Sequence, residues 1–387
     1  MTTEKSHARR TPFKPFALLA AFGLALALFS SPANAVSLPL LSTATLTGGA
    51  HDRAFAVERD GLGNLFIVGH SSTAASGNDI WVSKWNESTL TVISSRTLNG
   101  SGNGEDSARG VALDGVGNVY VTGTSSVPGQ GSSLWMGKFT SSLVLISSVN
   151  FPVPVFTNVD VAFGMVLVPG GDVYVTNTST GPSSSKILLA RFTSSLAFVS
   201  SRTFNNGFLL NYAHGLARDP GGNFYVAGDA PPNNLTSPDI ILAKFDPNFV
   251  FIASRAVAGG GGNTDNARAI TVGADGNIYV TGIINNAGAI VDVWLAKYSP
   301  SLAPIGSVSF PSPNAGNALG NAIRATADRL FVAGSLFTTG QSDNAWLAEI
   351  DYSLVVKASA TYNAGSDRKS TRLNSSHIQK SRMPSSA

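Results

Sequence analysis

Six polar residues recur at equivalent positions along the chain and are its first candidates for chemistry. They are Asp52, Asp106, Asp160, Asn211, Asp265 and Asn317. If the chain brings them to one rim, their carboxylates could bind Ca²⁺, which takes several oxygen ligands. The candidate metal ligands are then Asp52, Asp106, Asp160 and Asp265. The alternative, which we favour, is that each side chain bonds its own turn or the neighbouring blade and recurs because the turn recurs.

A second set of residues, three positions further along, differs from one copy to the next. The set is Phe55, Arg109, Phe163, His214, Arg268 and Gly320. Its basic members, Arg109, His214 and Arg268, lie near Asp106 and Asp265 in sequence and predict an anion or glycan site. Two arginines can grip a carboxylate or phosphate with paired hydrogen bonds. The alternative is surface variation with local Arg–Asp pairing.

These positions belong to a repeat whose best-preserved part is a Gly-Asn-x-aromatic-Val/Ile-x-Gly run. The copies read GNLFIVG, GNVYVTG, GDVYVTN, GNFYVAG, GNIYVTG and DRLFVAG, and they return every 51–54 residues. A repeat of this length indicates one supersecondary unit copied along the chain, with each copy burying its surface against its neighbours.

One copy of the repeat predicts four antiparallel strands. In the second copy the strands are Ser107–Asp114, Asn118–Ser125, Leu134–Phe139 and Val144–Phe151. Alternating apolar residues between Gly- and Ser-rich turns favour strands, and helical periodicity is absent after the N-terminal segment. The sequence therefore predicts an all-β protein, a β-propeller of four-stranded antiparallel blades.

The number of blades is left between seven and six. Sets of the first three strands occur six times, whereas seven segments read as a fourth strand, the surplus one being Ser42–Gly49. An N-terminal strand that completes the last blade would close the ring and remove an exposed edge. We therefore expect a seven-bladed ring whose seventh set of strands is missing from this chain. An intact six-bladed ring is the alternative.

Large side chains recur on the predicted second strand of each copy. The column is Phe66, Tyr120, Tyr174, Tyr225, Tyr279 and Phe331. Because a ring of blades must fill the space between them, these aromatics are predicted to form interblade core rather than a ligand stack.

These residues resemble the bacterial β-propeller repeat called SBBP. The segments Asp106–Gly123 and Asp265–Gly282 are similar to its main element, and Ile241–Phe245 and Trp294–Tyr298 to its third strand. The resemblance covers about residues 42–365, and NHL-type propellers are near neighbours. It implies a propeller, but a fold alone does not fix an activity.

Both ends of the chain differ from the repeat region, which spans residues 36–366. Residues 1–35 combine a basic start, an apolar run and an Ala-Asn-Ala cleavage pattern. They predict a signal peptide, and hence a secreted, periplasmic or cell-surface protein without a membrane span after cleavage. Residues 367–387 are basic and Ser-rich, resemble a translated sequencing adaptor, and are interpreted as a non-native, disordered tail.

The charge distribution gives no reason to expect a nucleic-acid partner. The whole chain has a net charge of +3, but nine of its 26 basic residues and only two of its 23 acidic residues lie in the two end segments. The region between them is acidic, so the positive total does not indicate a nucleic-acid surface. The chain has no cysteine, and its fold uses no disulfide.

The sequence favours a monomeric binding or structural module whose ligand is a glycan or a protein. It contains no G-x-S-x-G elbow, no phosphate-binding loop and no close-spaced histidine set. The competing hypothesis is a metal-assisted hydrolase or lyase, similar to lactonases, with its site at the mouth of the central channel. Ca²⁺ is the cofactor that this hypothesis would use.

Overall fold

The computed structural model describes residues 36–37, 52–73, 77–102, 104–128, 131–151, 158–168, 170–180, 185–205, 212–230, 239–259, 265–286, 290–311, 316–337 and 344–362. The chain divides into two compact units, residues 1–35 and 36–387, and the described residues all belong to the second. Within these ranges the regular structure consists of strands, so the prediction of an all-β protein is confirmed. No helix long and apolar enough to cross a membrane occurs in them.

Six four-stranded antiparallel sheets follow one another along the chain, each with its strands in sequence order. The strands of blades 1 to 3 are β2 (Arg53–Arg59), β3 (Asn64–Thr73), β4 (Gly77–Asn86) and β5 (Val92–Leu98); β6 (Ser107–Leu113), β7 (Val119–Val127), β8 (Gly131–Phe139) and β9 (Leu145–Phe151); and β10 (Asn158–Leu167), β11 (Val173–Thr180), β12 (Ser185–Phe192) and β13 (Phe198–Phe204). The strands of blades 4 to 6 are β14 (Tyr212–Arg218), β15 (Phe224–Ala230), β16 (Asp239–Phe245) and β17 (Phe251–Val257); β18 (Asn266–Val272), β19 (Ile278–Asn286), β20 (Ile290–Tyr298) and β21 (Pro304–Phe310); and β22 (Ala318–Ala325), β23 (Arg329–Leu336), β24 (Asn344–Asp351) and β25 (Val356–Tyr362).

The six blades form a ring. The first strand of each blade packs beside the first strand of the next, from β2 through β6, β10, β14 and β18 to β22, so these strands are the innermost ones. The last blade meets the first through an ion pair in which Arg324 Nη1 lies 3.1 Å from Glu58 Oε2. The six-bladed alternative is therefore the arrangement that this chain adopts.

The structure describes one short strand before blade 1. The predicted closing strand, Ser42–Gly49, lies outside the described residues. A two-residue strand, β1 (Val36–Ser37), pairs in parallel with β25 and adds a fifth strand to the last blade. It covers part of an edge that would otherwise present unpaired backbone groups.

The Asp-x-x-Gly-Asn runs form hairpins between the first and second strands. In blade 2, Asp114 accepts the backbone N–H and the side-chain amide of Asn118, both at 2.7 Å. Gly117 has a φ of 90°, a left-handed conformation that glycine adopts without strain. Burial works to raise the pKa of Asp114, but the hydrogen bonds from Asn118 outweigh it and the pKa is lowered. The turn thus explains why the Asp-x-x-Gly-Asn pattern recurs among the copies.

The aromatic rings of the second strands fill the space between blades, which confirms their predicted role. Tyr120 and Tyr225 are fully buried. Each hydroxyl donates to a backbone carbonyl of the next blade, Tyr120 to Ser194 at 3.0 Å and Tyr225 to Pro300 at 3.1 Å. A buried tyrosine hydroxyl needs such a partner, so the same side chain packs one blade and bonds to its neighbour.

A β-bulge in the first strand of every blade explains the glycine that ends the repeat. In blade 2, Ala108 pairs with Gly123 and the ladder resumes at Gly110, which leaves Arg109 as the extra residue. A Cβ on Gly123 would lie 2.0 Å from the carbonyl oxygen of Ser107. The corresponding distances are between 1.8 and 2.0 Å at Gly69, Gly228, Gly282 and Gly334. In these five blades the position opposite the bulge therefore has room only for a residue without a side chain.

Candidate ligand site at the first-strand bulges

The bulges place one extra residue of each blade at the same level of the innermost strands. These residues are Phe55, Arg109, Phe163, His214, Arg268 and Asn321. In five blades they coincide with the variable set found in the sequence. In blade 6, Gly320 pairs with Gly334, so Asn321 and not Gly320 occupies the bulge. A bulge re-aims a side chain, and bulges are common beside functional sites.

Bulge residues of neighbouring blades contact each other. The guanidinium of Arg109 lies over the ring of Phe55, 4.0 Å from its centroid, in a cation–π contact. Arg268 Nη1 donates to Asn321 Oδ1 at 2.8 Å. Because such contacts join the innermost strands of adjacent blades, these residues form a collar around the axis of the ring. We define the bulge collar as the set Phe55, Arg109, His214, Arg268 and Asn321.

His214 belongs to a hydrogen-bonded cluster with two polar partners. Its Nε2 contacts Oδ1 of Asp229, a residue that is buried on β15. Asn266 of the next blade donates to the same Asp229 oxygen at 2.7 Å and lies 3.2 Å from His214 Nε2. A carboxylate that orients an imidazole prepares it for proton transfer or for binding an anion. The cluster gives the bulge collar one group with acid–base capacity.

The collar is positively charged beside Arg109. His70 is buried next to Phe55, with their ring centroids 5.4 Å apart in an edge-to-face arrangement. Burial is the main cause that lowers the pKa of His70, and the charges of Arg109 and Arg53 lower it further, although two nearby carboxylates oppose them. His70 is therefore neutral at pH 7, and the arginines supply the charge that would attract an anion.

Asp106, a predicted ligand, serves as an acceptor for backbone groups. Its carboxylate is fully buried and accepts the N–H groups of Gly100 and Ser126. Burial raises the pKa of this carboxyl above its usual value, against the effect of those hydrogen bonds. Since Gly100 lies in the linker from blade 1 and Ser126 on β7, the carboxylate fastens the linker to the end of the second strand.

Asp265 and Asp52 have similar partners in their own blades. Asp265 is buried and accepts the N–H of Asn285 at 2.6 Å and that of a linker glycine, and burial raises the pKa of its carboxyl too. Asp52 accepts the hydroxyl of Ser71 at 2.8 Å. In each of these blades the aspartate bonds a residue near the end of the second strand.

The calcium hypothesis stays a prediction. Among the described residues, no group of three or more histidine, cysteine, aspartate or glutamate side chains could hold a metal ion. Asn211 and the side chains of Asp160 and Phe163 lie outside what the structure describes. Asn317 is exposed, and its carbonyl accepts the N–H of Phe337 at 2.9 Å.

Comparison of the sequence copies missed four polar residues of this site: His70, Asp229, Asn266 and Asn321. His70 and Asp229 directly follow the glycine that ends the repeat, where the other copies have Thr, Ile or Ser. Titratable groups in an otherwise uncharged column were a signal that could have been used. Asn266 and Asn321 become visible only through the register of the bulges.

Fold and repeat together define a six-bladed β-propeller with a basic collar at its innermost strands. Residues 96–129 match the family model of the SBBP β-propeller repeat. Together with the six repeated blades, this match supports an SBBP-type β-propeller repeat protein. None of the curated proteins compared with the chain matches its sequence.

Solved structures share the fold at low sequence identity. A polysaccharide lyase, the PL25 ulvan lyase bound to -[GlcA(1-4)Rha3S]-, superposes with a TM-score of 0.52 and 10% identity over 81% of this chain and 84% of its own. A second structure of PL25 ulvan lyase gives 0.50 and 10% over 80% and 81%. A quinoprotein alcohol dehydrogenase-like protein from Bacteroides thetaiotaomicron gives 0.47 and 14% over 84% and 68%. At these identities the likeness shows the fold alone.

Proposed function

We propose that this protein is an exported binding module that holds an acidic glycan at the bulge collar. The observation that carries the proposal is the position of Arg109, His214 and Arg268 at equivalent bulges of the innermost strands. Guanidinium groups bind carboxylate or sulfate oxygens through paired, charge-assisted hydrogen bonds. The ring of Phe55 beside Arg109 adds an apolar surface against which a sugar ring can pack.

Two further arguments support an acidic sugar over other ligands. The carboxylates nearest in sequence, Asp106 and Asp265, are buried as backbone acceptors, so they do not offer a competing exposed negative surface. The related ulvan lyase fold was solved with a glucuronate-containing fragment. That likeness concerns the fold, but it makes an acidic glycan the first class of ligand to test.

Export is part of the proposal. Strand β1 begins at Val36, directly after the predicted cleavage point, so removal of residues 1–35 would leave every described strand in place. We expect intact-mass measurement of protein from the periplasm or medium to give a chain that starts at Val36. A mature protein that retains Met1 would contradict export.

The ligand is tested with two tetrasaccharides of equal length, one built with glucuronate residues and one neutral. Isothermal titration is carried out on the full propeller, on Arg109→Met, on Arg268→Met and on Arg96→Met, whose arginine is exposed on β5 away from the collar. Each collar variant is expected to weaken binding of the acidic sugar at least tenfold, or about 1.4 kcal/mol. Arg96→Met should bind as the parent does. Equal binding of both sugars, or equal effects of collar and control variants, would refute the proposal.

The metal-assisted hydrolase or lyase remains a separate hypothesis with its own measurement. It requires carboxylates that converge on a metal, whereas both carboxylate oxygens of Asp106 and of Asp265 accept hydrogen bonds from backbone N–H groups. Calcium titration with a thermal-shift readout distinguishes the two, because a bound ion raises the melting temperature in proportion to ln(1 + [Ca²⁺]/Kd). Stabilisation that rises with calcium concentration in this way, and that Asp106→Asn abolishes, would favour the metal hypothesis.

A further inference from the structure

A cavity lies at the opposite end of the innermost strands from the bulge collar. It has a volume of about 490 Å³ and is lined by the ends of the first strands and the following turns of blades 3 to 6. His214 and Arg218 are four residues apart on β14, so the cavity lies about 13 Å from the collar. Its walls include Leu167, Val272 and Ala325. A cavity of this size with mostly apolar walls and a few polar groups is typical of a small-molecule site.

The side chain of Arg218 brings a positive charge to the wall of this cavity. The Nε atom is buried and forms no hydrogen bond. None of the ion pairs among the described residues involves Arg218. A buried, unsatisfied donor of this kind is uncommon in folded proteins and calls for an explanation.

Blade 1 provides a comparison for Arg218. Arg59 occupies the same register position in blade 1, since it pairs with Leu65 as Arg218 pairs with Phe224. Arg59 donates from Nε to Glu87 at 2.9 Å. Glu87 stands two residues after Trp85, the strand partner of Leu65, and in blade 4 the residue two positions after Phe245, the strand partner of Phe224, is Pro247. Blade 4 thus has an arginine where blade 1 has one, but a proline where blade 1 has the acid that pairs with it.

Asp219, an acidic residue in the cavity wall, has other hydrogen-bond partners. Its carboxylate accepts the backbone N–H and the side-chain amide of Asn223, each at 2.8 Å, and the hydroxyl of Tyr225 at 3.0 Å. Burial works to raise the pKa of Asp219, but the hydrogen bonds from Asn223 lower it on balance. Asp219 therefore stays ionised within its hairpin and is not the missing partner of Arg218.

We propose that this cavity binds a small amphiphilic carboxylate. The carboxylate would pair with the guanidinium of Arg218 in the place that Glu87 fills beside Arg59. The hydrocarbon body would lie against Leu167, Val272 and Ala325, whose burial drives the association. The guanidinium fork matches the planar geometry of a carboxylate and can hold both of its oxygens.

The test uses octanoate and 1-octanol, which share a chain length and differ in charge. Isothermal titration with the full propeller should show one octanoate site and at least tenfold weaker binding of octanol. Arg218→Met, which keeps the length of the side chain and removes the charge, should weaken octanoate at least tenfold. Pro247→Glu introduces the acid that blade 1 has at this position. It should also weaken octanoate binding at least tenfold, because the new carboxylate would pair with Arg218. Arg96→Met and the collar variant Arg109→Met should bind octanoate as the parent does.

Equal binding of octanoate and octanol would overturn the proposal, as would the absence of binding at millimolar octanoate. Unchanged affinity in both Arg218→Met and Pro247→Glu would do so as well. Arg218→Lys covers the case in which Arg218→Met fails to fold, with intermediate affinity expected because the charge is kept and the fork is lost. Failure of the glycan experiment leaves this result untouched, because the two sites use different residues.

Discussion

Substitution of Gly123 by alanine tests the explanation given for the end of the repeat. The new Cβ would lie 2.0 Å from the Ser107 carbonyl oxygen and 2.8 Å from Ala108 Cα, both backbone atoms that cannot rotate away. The two strands must therefore separate by about 1 Å at the bulge. Overpacking of this kind costs about 1–3 kcal/mol, and a weakened ladder hydrogen bond adds about 1 kcal/mol. We expect a loss of about 2–4 kcal/mol in the free energy of unfolding.

The assay is thermal unfolding of Gly123→Ala beside Gly115→Ala in the same blade. Unfolding entropy of about 2.1 cal/mol/K per residue over roughly 300 residues converts the loss into a drop of about 3–6 °C in melting temperature. Gly115 has nothing within 4 Å of its would-be Cβ and no positive φ, so its alanine variant should match or slightly exceed the parent. If the two variants melt within 1 °C of each other, the bulge does not require glycine and the explanation fails.

Two further variants test the aspartates. Asp275→Asn should lower the free energy of unfolding at pH 7 by about 1–2 kcal/mol, a figure reduced for solvent screening. Burial opposes ionisation of Asp275, but hydrogen bonds from Asn277, Lys297 and Tyr279 lower its pKa from 3.8 to about 2. Because the folded pKa is the lower one, this contribution is present above pH 3.8 and fades as pH falls towards 2, so urea unfolding curves of parent and variant should converge between those values; a constant gap would contradict it. Asp265→Ala should cost about 2–6 kcal/mol at pH 7 by leaving the Asn285 and Gly259 N–H groups unsatisfied, and Asp265→Asn less, since its oxygen can still accept. The pH dependence of stability has the opposite sign here, because burial raises the pKa of Asp265. The parent should gain stability relative to Asp265→Asn as pH falls through the folded pKa. A parent that loses stability relative to the variant over that range would refute the assignment.

The sequence predicted the regular parts of the ring because they depend on contacts that every copy repeats. The Asp114–Asn118 turn and the burial of Tyr120 follow from residue types at fixed spacing, and both are found. Register was harder to predict. A bulge adds one residue to one strand without changing its composition, so Gly320 and Asn321 could be told apart only once the partner of each was known.

The site was only half accessible to sequence reasoning, and for a physical reason. Arg109, His214 and Arg268 were found because they break the symmetry of a column. The partners that give them a defined orientation come from other columns: Asp229 and Asn266 for His214, and Asn321 for Arg268. Such pairings depend on which blades touch, and that is a property of the closed ring rather than of any one repeat.

The bulge and the glycine opposite it must be treated as one unit, and blade 3 shows why. There the glycine is replaced by Asn177, whose two amide atoms are buried without hydrogen-bond partners. The first strand of that blade has a second register irregularity, between Asn158 and Val161, whereas the other five first strands have one each. A side chain opposite the bulge thus goes together with a disturbed strand. In the blades that have the glycine, the bulge is the one register irregularity of the first strand. The extra residue can vary among Phe, Arg, His and Asn because it has no partner in the strand pairing. That freedom is what allows a structural repeat to carry a different side chain in each blade and to present them together around one axis.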